Sequence, residues 1–192
     1  MPYRKSIFAR GQYYHLFNRG INKQKIFFST ENYLYFLGLL RKNSRRFQIS
    51  IIAYCLMPNH YHFLVRQDGE KSISLFMRSM INSYAQGINK QYNRTGALFE
   101  NRFKDKLVDK NEYVIHLSRY IHLNPVRAGL VNKPEGWEFS NYLEWIGKRG
   151  GILKDEEFIT SYFPNPGDYE QFVMEHLSET KVDRILQRYL LK

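Results

Sequence analysis

The sequence predicts an α+β fold of the ferredoxin-like, split βαβ type: an antiparallel sheet with helices on one face, one more helix after the last strand, and a C-terminal helical extension. Three observations predict it. The hydrophobic periods run strand, helix, strand, strand, helix, strand, helix. A length of 192 residues suits one principal domain with an appendage rather than two domains of ordinary size. Hydrophobic residues at 43% and aromatics at 16% supply enough apolar side chain for a packed core, which excludes a disordered chain.

The first strand is Tyr13 to Asn18, aromatic and alternating, closed by the turn-type Asn18-Arg19-Gly20. A helix follows, capped by Ser29 or Thr30, with Tyr33, Phe36, Leu37 and Leu40 at helical spacing and a basic end at Arg41-Lys42 and Arg45-Arg46. Phe47 to Met57 and His60 to Arg66 are β-rich and flank the turn Pro58-Asn59, an antiparallel pair on a short loop. Ser72 to Gln91 carries Ile73, Phe76, Met77, Met80, Ile81, Tyr84 and Ile88 on one helical face. A strand over Asn101 to Val108 follows the turn-prone Asn93-Arg94-Thr95-Gly96. A third helix starts near Asp109 and runs through Tyr113, His116, Leu117 and Tyr120 towards Asn124-Pro125. Lys148-Arg149-Gly150-Gly151 has linker composition, and two short amphipathic helices are expected after Pro166-Gly167. The chain thus divides into a body, 1–147, and an extension, 148–192.

The 29 Lys and Arg against 18 Asp and Glu leave +11 at neutral pH, which favours a polyanionic ligand. Residues 148–192 hold 7 basic and 8 acidic side chains, so residues 1–147 carry 22 − 10 = +12, and the basic character belongs to the body. The lone cysteine, Cys55, sits in the apolar run Ile51 to Met57 and reads as a small buried hydrophobe, so disulfides and a cysteine zinc site are excluded. The N-terminal ten residues lack the apolar core of a signal peptide, and no stretch has the length of a membrane span. A cytoplasmic protein without membrane association is expected.

In Asn59-His60-Tyr61-His62-Phe63 the two histidines are one residue apart on a strand, and the two-residue period aims both imidazoles at one face. Tyr61, Phe63 and Val65 take the other face and anchor the strand. Such a pair can bind a metal, but taken alone it is more often a polar or hydrogen-bonded pair of structural histidines. In the third helix, spacings of four align His116, Tyr120 and Asn124. Helices usually stop at or before the residue preceding proline, so Asn124 either completes that face or leaves the helix. Tyr120 is one of 15 tyrosines. A phenol with an ordinary pKa of about 10 needs a metal or base to attack at neutral pH.

Five ordered motifs carry a resemblance across roughly Tyr13 to Trp145: Phe17-Asn18-Arg19-Gly20, Met57-Pro58-Asn59-His60-Tyr61-His62, Gly96-Ala97-Leu98-Phe99 with Arg102-Phe103-Lys104, Tyr120 to Gly129, and Trp137-Glu138-Phe139-Ser140. On these the chain resembles the HUH single-tyrosine transposases (insertion-sequence-200-like), in their REP-associated branch. The resemblance implies that His60 and His62 bind a divalent metal ion, Mg or Mn, that Asn124 completes the coordination, and that Tyr120, on a catalytic helix, is the nucleophile. It implies cleavage of single-stranded or hairpin DNA, with repetitive extragenic palindromes as candidate targets, through a 5′-phosphotyrosine and a free 3′-hydroxyl. It also favours a monomer over a homodimer.

DNA contacts are expected from Arg102, Lys104 and Lys106, placed on one face of the Asn101 to Val108 strand, and from Arg19 and Arg127 inside the motifs. A charged edge strand that resists aggregation explains the first three equally well. Two other functions fit parts of the pattern. A hairpin DNA- or RNA-binding module derived from such a transposase needs the charge but not the joint presence of His60, His62 and Tyr120. A metal-dependent hydrolase using water leaves Tyr120 without a task.

Overall fold

A computed structural model describes residues 7–176. Its strands are β1 (Tyr13–Arg19), β2 (Ile49–Met57), β3 (His60–Gln67) and β4 (Lys104–Val108), all antiparallel in the order β2-β3-β1-β4. The long helices are α1 (Thr30–Phe47), α2 (Ile73–Gln91) and α3 (Asn111–Arg127), followed by the short α4 (Tyr142–Trp145), α5 (Glu156–Tyr162) and α6 (Pro166–Met174). This is the split βαβ arrangement expected from the hydrophobic periods.

Each face of the sheet is buried by a different set of helices. Tyr14, Leu16, Tyr61, Phe63 and Val65 point towards α1 and α2 and pack on Phe36, Leu40, Phe76, Met80 and Tyr84. The opposite face carries Ile52, Ala53, Cys55, Met57 and Leu64, covered by Val114, Leu117 and Ile121 of α3. A register shift between Ile51 and Ala53 lets the neighbours Ile52 and Ala53 both face α3, which strict alternation forbids. The anchoring of the histidine strand through Tyr61, Phe63 and Val65 is therefore as expected, since all three are fully buried.

Phe47, expected to open a strand, ends α1 instead, and three further boundaries differ from the sequence reading. The last strand begins at Lys104, so Asn101 and Arg102 lie in the loop before it. The third helix continues through Pro125 to Arg127. Ile121, Leu123 and Pro125 are buried there, and that packing offsets the single helical hydrogen bond that proline removes near the end of a helix. Of the two helices expected after Pro166-Gly167, α6 starts there. α5 precedes it, nucleated where Asp155 Oδ1 accepts the Phe158 N–H at 3.0 Å, and residues 177–192 lie outside the described part.

The stretch expected as a linker is held in place. Arg149 binds Glu144 at 2.7 Å and the Glu138 carbonyl oxygen at 2.8 Å, and Lys148 bridges Glu135 and Glu170. Phe158, Ile159, Tyr169 and Val173 join the core beneath α3. The extension thus backs the tyrosine helix. Among the described residues no helix is long and apolar enough to cross a membrane.

Candidate active site

The ends of β1 and β3 and one face of α3 meet at one end of the sheet. β1 finishes there at Arg19, directly opposite His60, the first residue of β3. Gly20 then turns the chain away. A Cβ at Gly20 would collide with the Gln24 carbonyl oxygen and the Ile26 side chain, so only glycine fits. The Gly20 N–H donates to the Asn59 carbonyl oxygen at 2.8 Å, tying this corner to the turn before His60.

His60 and His62 do share the face towards α3, as the two-residue period requires, with ring centroids 5.1 Å apart and ring planes nearly perpendicular. Tyr120 comes to the same place from α3, its ring centroid 6.0 Å from that of His62. Residues 58 positions apart in the sequence thereby converge. His60 Nδ1 is 2.6 Å from Asn59 Oδ1, and His62 Nδ1 is 2.9 Å from Nε2 of His15 on β1. Among the described residues no protein atom hydrogen-bonds to Nε2 of either histidine.

Burial holds both imidazoles neutral. It pushes His60 down to about 4, with the nearby charge of Arg19 adding to the effect. It pushes His62 well below the usual histidine range, helped by His15 and His60. Burial alone would also raise the Tyr120 phenol, and the Asn124 amide and the Arg127 guanidinium pull it back in part. Arg127 lies 5.2 Å over the Tyr120 ring; its inner face is shielded by that ring, although the residue as a whole is exposed.

Asn124 stays on the α3 face, one turn beyond Tyr120, because the helix survives Pro125. Its Nδ2 donates to the Tyr120 carbonyl oxygen at 2.9 Å, which leaves Oδ1, the atom able to ligate a cation, facing away from that bond. Two imidazole Nε2 atoms and one amide oxygen make a neutral donor set that suits a divalent ion needing additional oxygen ligands. Among the described residues no group of three or more His, Cys, Asp and Glu side chains could hold a metal ion. His116, although in helical phase with Tyr120, is turned to Arg119 at 2.9 Å and to Phe172 of α6.

The basic residues separate into distinct places. Lys104 pairs with Phe17 and Lys106 with His15, so both exposed lysines stand on the histidine face of the edge strand. Arg102 does not share that face. Lying before the strand, it lines a cavity of about 480 Å³ with Asn18, Met77, Arg78 and Phe103 on the α2 side of the sheet. Arg19 is engaged by Glu100 through two bonds of 3.0 and 3.2 Å.

A family model described as "Transposase IS200 like" matches residues 9–124, the span that supplies both histidines and the tyrosine. The chain belongs to the IS200-like transposase family. Within it, the chain is 25% identical over 118 residues to a Haemophilus influenzae protein assigned by name to the REP-associated tyrosine transposases, covering 56% of this chain and 66% of that protein. Among solved structures it is similar to a REP-associated tyrosine transposase bound to a REP hairpin, with a TM-score of 0.66 and 18% identity over 81% of this chain and 94% of the other. That likeness shows the fold, and with it the ferredoxin-like arrangement of this transposase.

Sequence reasoning missed His15 and Asn59. His15 shares one face of its strand with Tyr13 and Phe17, a pattern that signals a face but not its partner 47 residues away. Asn59 was legible only as a turn residue, because Pro58-Asn59 between two strands has that ordinary explanation.

Proposed function

We propose that this transposase nicks and rejoins single-stranded DNA, with Tyr120 as nucleophile and His60, His62 and Asn124 as the protein ligands of a divalent metal ion, Mg or Mn. The observation that carries the reading is the meeting of Tyr120 with two neutral imidazoles that each keep one ring nitrogen without a protein partner. Binding alone requires none of these three side chains together.

When bound, the ion polarises the scissile phosphate and offsets the charge that builds on its oxygens. Tyr120 Oη attacks phosphorus, and the bond from phosphorus to the 3′ oxygen breaks. The phenolic proton is lost and the departing oxygen gains one, which leaves a 5′-phosphotyrosine and a 3′-hydroxyl. A 3′-hydroxyl reverses the step without ATP, since the phosphodiester energy is kept in the tyrosyl ester. Arg127 beside the ring and the Asn124 amide favour the phenolate that attacks. Lys104 and Lys106, on the same face, hold the backbone of the strand, and Arg19 adds positive potential beside His60. Arg102, on the other face, reaches a different stretch of the nucleic acid. Single-stranded or hairpin DNA is the substrate class, in keeping with the REP hairpin carried by the structural relative. The monomer that the resemblance favours is compatible with Tyr120 meeting His60 and His62 of its own chain.

Labelled single-stranded DNA from the flanks of its own gene, hairpins included, tests the reading in the presence of Mn²⁺ or Mg²⁺. The expected result is an adduct that survives denaturing electrophoresis, is lost in Tyr120→Phe and persists in Tyr113→Phe. Cleavage without an adduct would favour a water nucleophile, and hairpin binding with neither would favour a binding module.

A further inference from the structure

We propose that Asn59 and His15 are positioning residues that fix the tautomers of His60 and His62, so that both imidazoles keep the lone pair on Nε2 for a metal ion. The proposal rests on the reading of His60 and His62 as ligands. A neutral imidazole has one N–H and one lone pair, and only the nitrogen with the lone pair can bind a cation. Which nitrogen that is follows from what the other one meets.

For His60 the hydrogen bonds decide the matter. Asn59 Nδ2 donates to the Lys23 carbonyl oxygen at 3.0 Å, so Oδ1 is the amide atom that faces His60 Nδ1 at 2.6 Å. An amide oxygen only accepts. The proton therefore sits on Nδ1 of His60 and the lone pair on Nε2. The loop that offers the Lys23 carbonyl is itself unusual, with Asn22 at φ 52° and Lys23 at φ 58°, both in the left-handed region that non-glycine residues seldom occupy. Together with the Gly20 N–H on the Asn59 carbonyl oxygen, the loop grips Asn59 by backbone and side chain.

For His62 the partner is another imidazole. One proton is shared between His62 Nδ1 and His15 Nε2 at 2.9 Å. With His15 as donor, the proton of His62 would move to Nε2 and close the site. With His62 as donor, His15 accepts, and His62 presents Nε2 in the same sense as His60. His15 is fully buried, nearly coplanar with His62 at 20° between the ring planes and packed against Phe17 at 4.8 Å, so its Nε2 is held at hydrogen-bond distance from His62 Nδ1, where it can accept. The role of each is exerted through the histidine beside it.

Long-range proton–nitrogen NMR correlation on ¹⁵N-histidine protein, free of metal and at pH 7.5, reads the tautomers directly. Both His60 and His62 should be Nδ1–H; a main Nε2–H form at either would overturn the assignment for that residue's partner. Mn²⁺ affinity, followed by the free-ion EPR signal, should fall about 10- to 100-fold in Asn59→Ala and His15→Phe and recover in Asn59→Asp and His15→Gln, which restore an accepting oxygen. Unchanged affinity in folded Asn59→Ala would contradict the positioning role of Asn59. Because His15 is buried and its variants can fail to fold, the wild-type tautomer of His62 decides that half without any substitution. Tautomers as expected in a protein that binds no Mn²⁺ would remove the ligand reading and leave the hydrogen-bond assignment standing.

Discussion

Histidines occupy two places on the α3 side of the sheet, and among the described residues only one place leaves ring nitrogens unbonded by the protein. At the core, His122 is fully buried with Nδ1 2.6 Å from the Tyr169 hydroxyl and Nε2 2.9 Å from Asn141 Oδ1. Asn141 in turn accepts from the Tyr54 N–H and donates to the Ile52 carbonyl oxygen, so the network pins α3, α6 and β2 together. At the sheet end, His60 and His62 are equally neutral, each with one nitrogen engaged and one unused by the protein. Burial lowers His60 and His122 alike, to about 4. A depressed pKa therefore does not separate a site from a scaffold here; the unspent nitrogen does.

Substitutions should split along that line. The largest effect belongs to Tyr120→Phe, which should reduce adduct formation by about 10³-fold or more while leaving the melting temperature nearly unchanged. His60→Ala and His62→Ala should each reduce nicking by roughly 10²- to 10³-fold, the scale of losing one electrostatic stabiliser of the transition state. His122→Leu should do the reverse. It strands Asn141 and Tyr169, costs about 2–4 kcal/mol in urea unfolding, and leaves the nicking rate of the folded fraction within a few-fold of wild type. A His122→Leu protein of native stability but no activity would collapse the distinction.

Burial of these imidazoles should also make part of the stability acid-sensitive. Both His60 and His122 have folded pKa values near 4 against an ordinary 6.5, so the unfolded chain binds protons first as the pH falls. The contribution is complete above pH 6.5 and is lost between 6.5 and about 4, on the order of 3 kcal/mol for the fully buried His122. Denaturant midpoints at pH 7.5, 6 and 5 should decline over that window, and His122→Leu should flatten part of the decline. The smallest effect is expected at the edge strand. Lys104→Ala and Lys106→Ala should each weaken single-strand binding modestly. Each should also make the slope of log affinity against log salt shallower by roughly 0.7, the value for one phosphate no longer neutralised, as titrations at several salt concentrations would show.

Local periodicity made most of the fold legible. Alternation exposed β1, β-rich runs on either side of a turn exposed β2 and β3, and 3.6-residue spacing exposed α1, α2 and α3, because each of these patterns is set by neighbouring residues alone. The histidine pair was legible for the same reason. Tyr120 was not distinguishable by chemistry from the other tyrosines and emerged through its motif, since its approach to His62 depends on how α3 crosses the sheet. Asn124 could not be placed, because local rules end a helix before Pro125 whereas burial of Ile121, Leu123 and Pro125 continues it. Arg102 was misplaced by the extra strand residues, which a run of alternating charge imitates well.

On the proposed function, Tyr120 alone among the tyrosines bonds to DNA, under the control of the His60–His62 pair. Peptide mapping by mass spectrometry after reaction with a nicked-site oligonucleotide and Mn²⁺ tests it most directly. The expected result is a nucleotide 5′-phosphate on the peptide containing Tyr120, absent from His60→Ala and His62→Ala but present in His122→Leu. A nucleotide on any other tyrosine, or an undiminished Tyr120 adduct in both histidine variants, would contradict it.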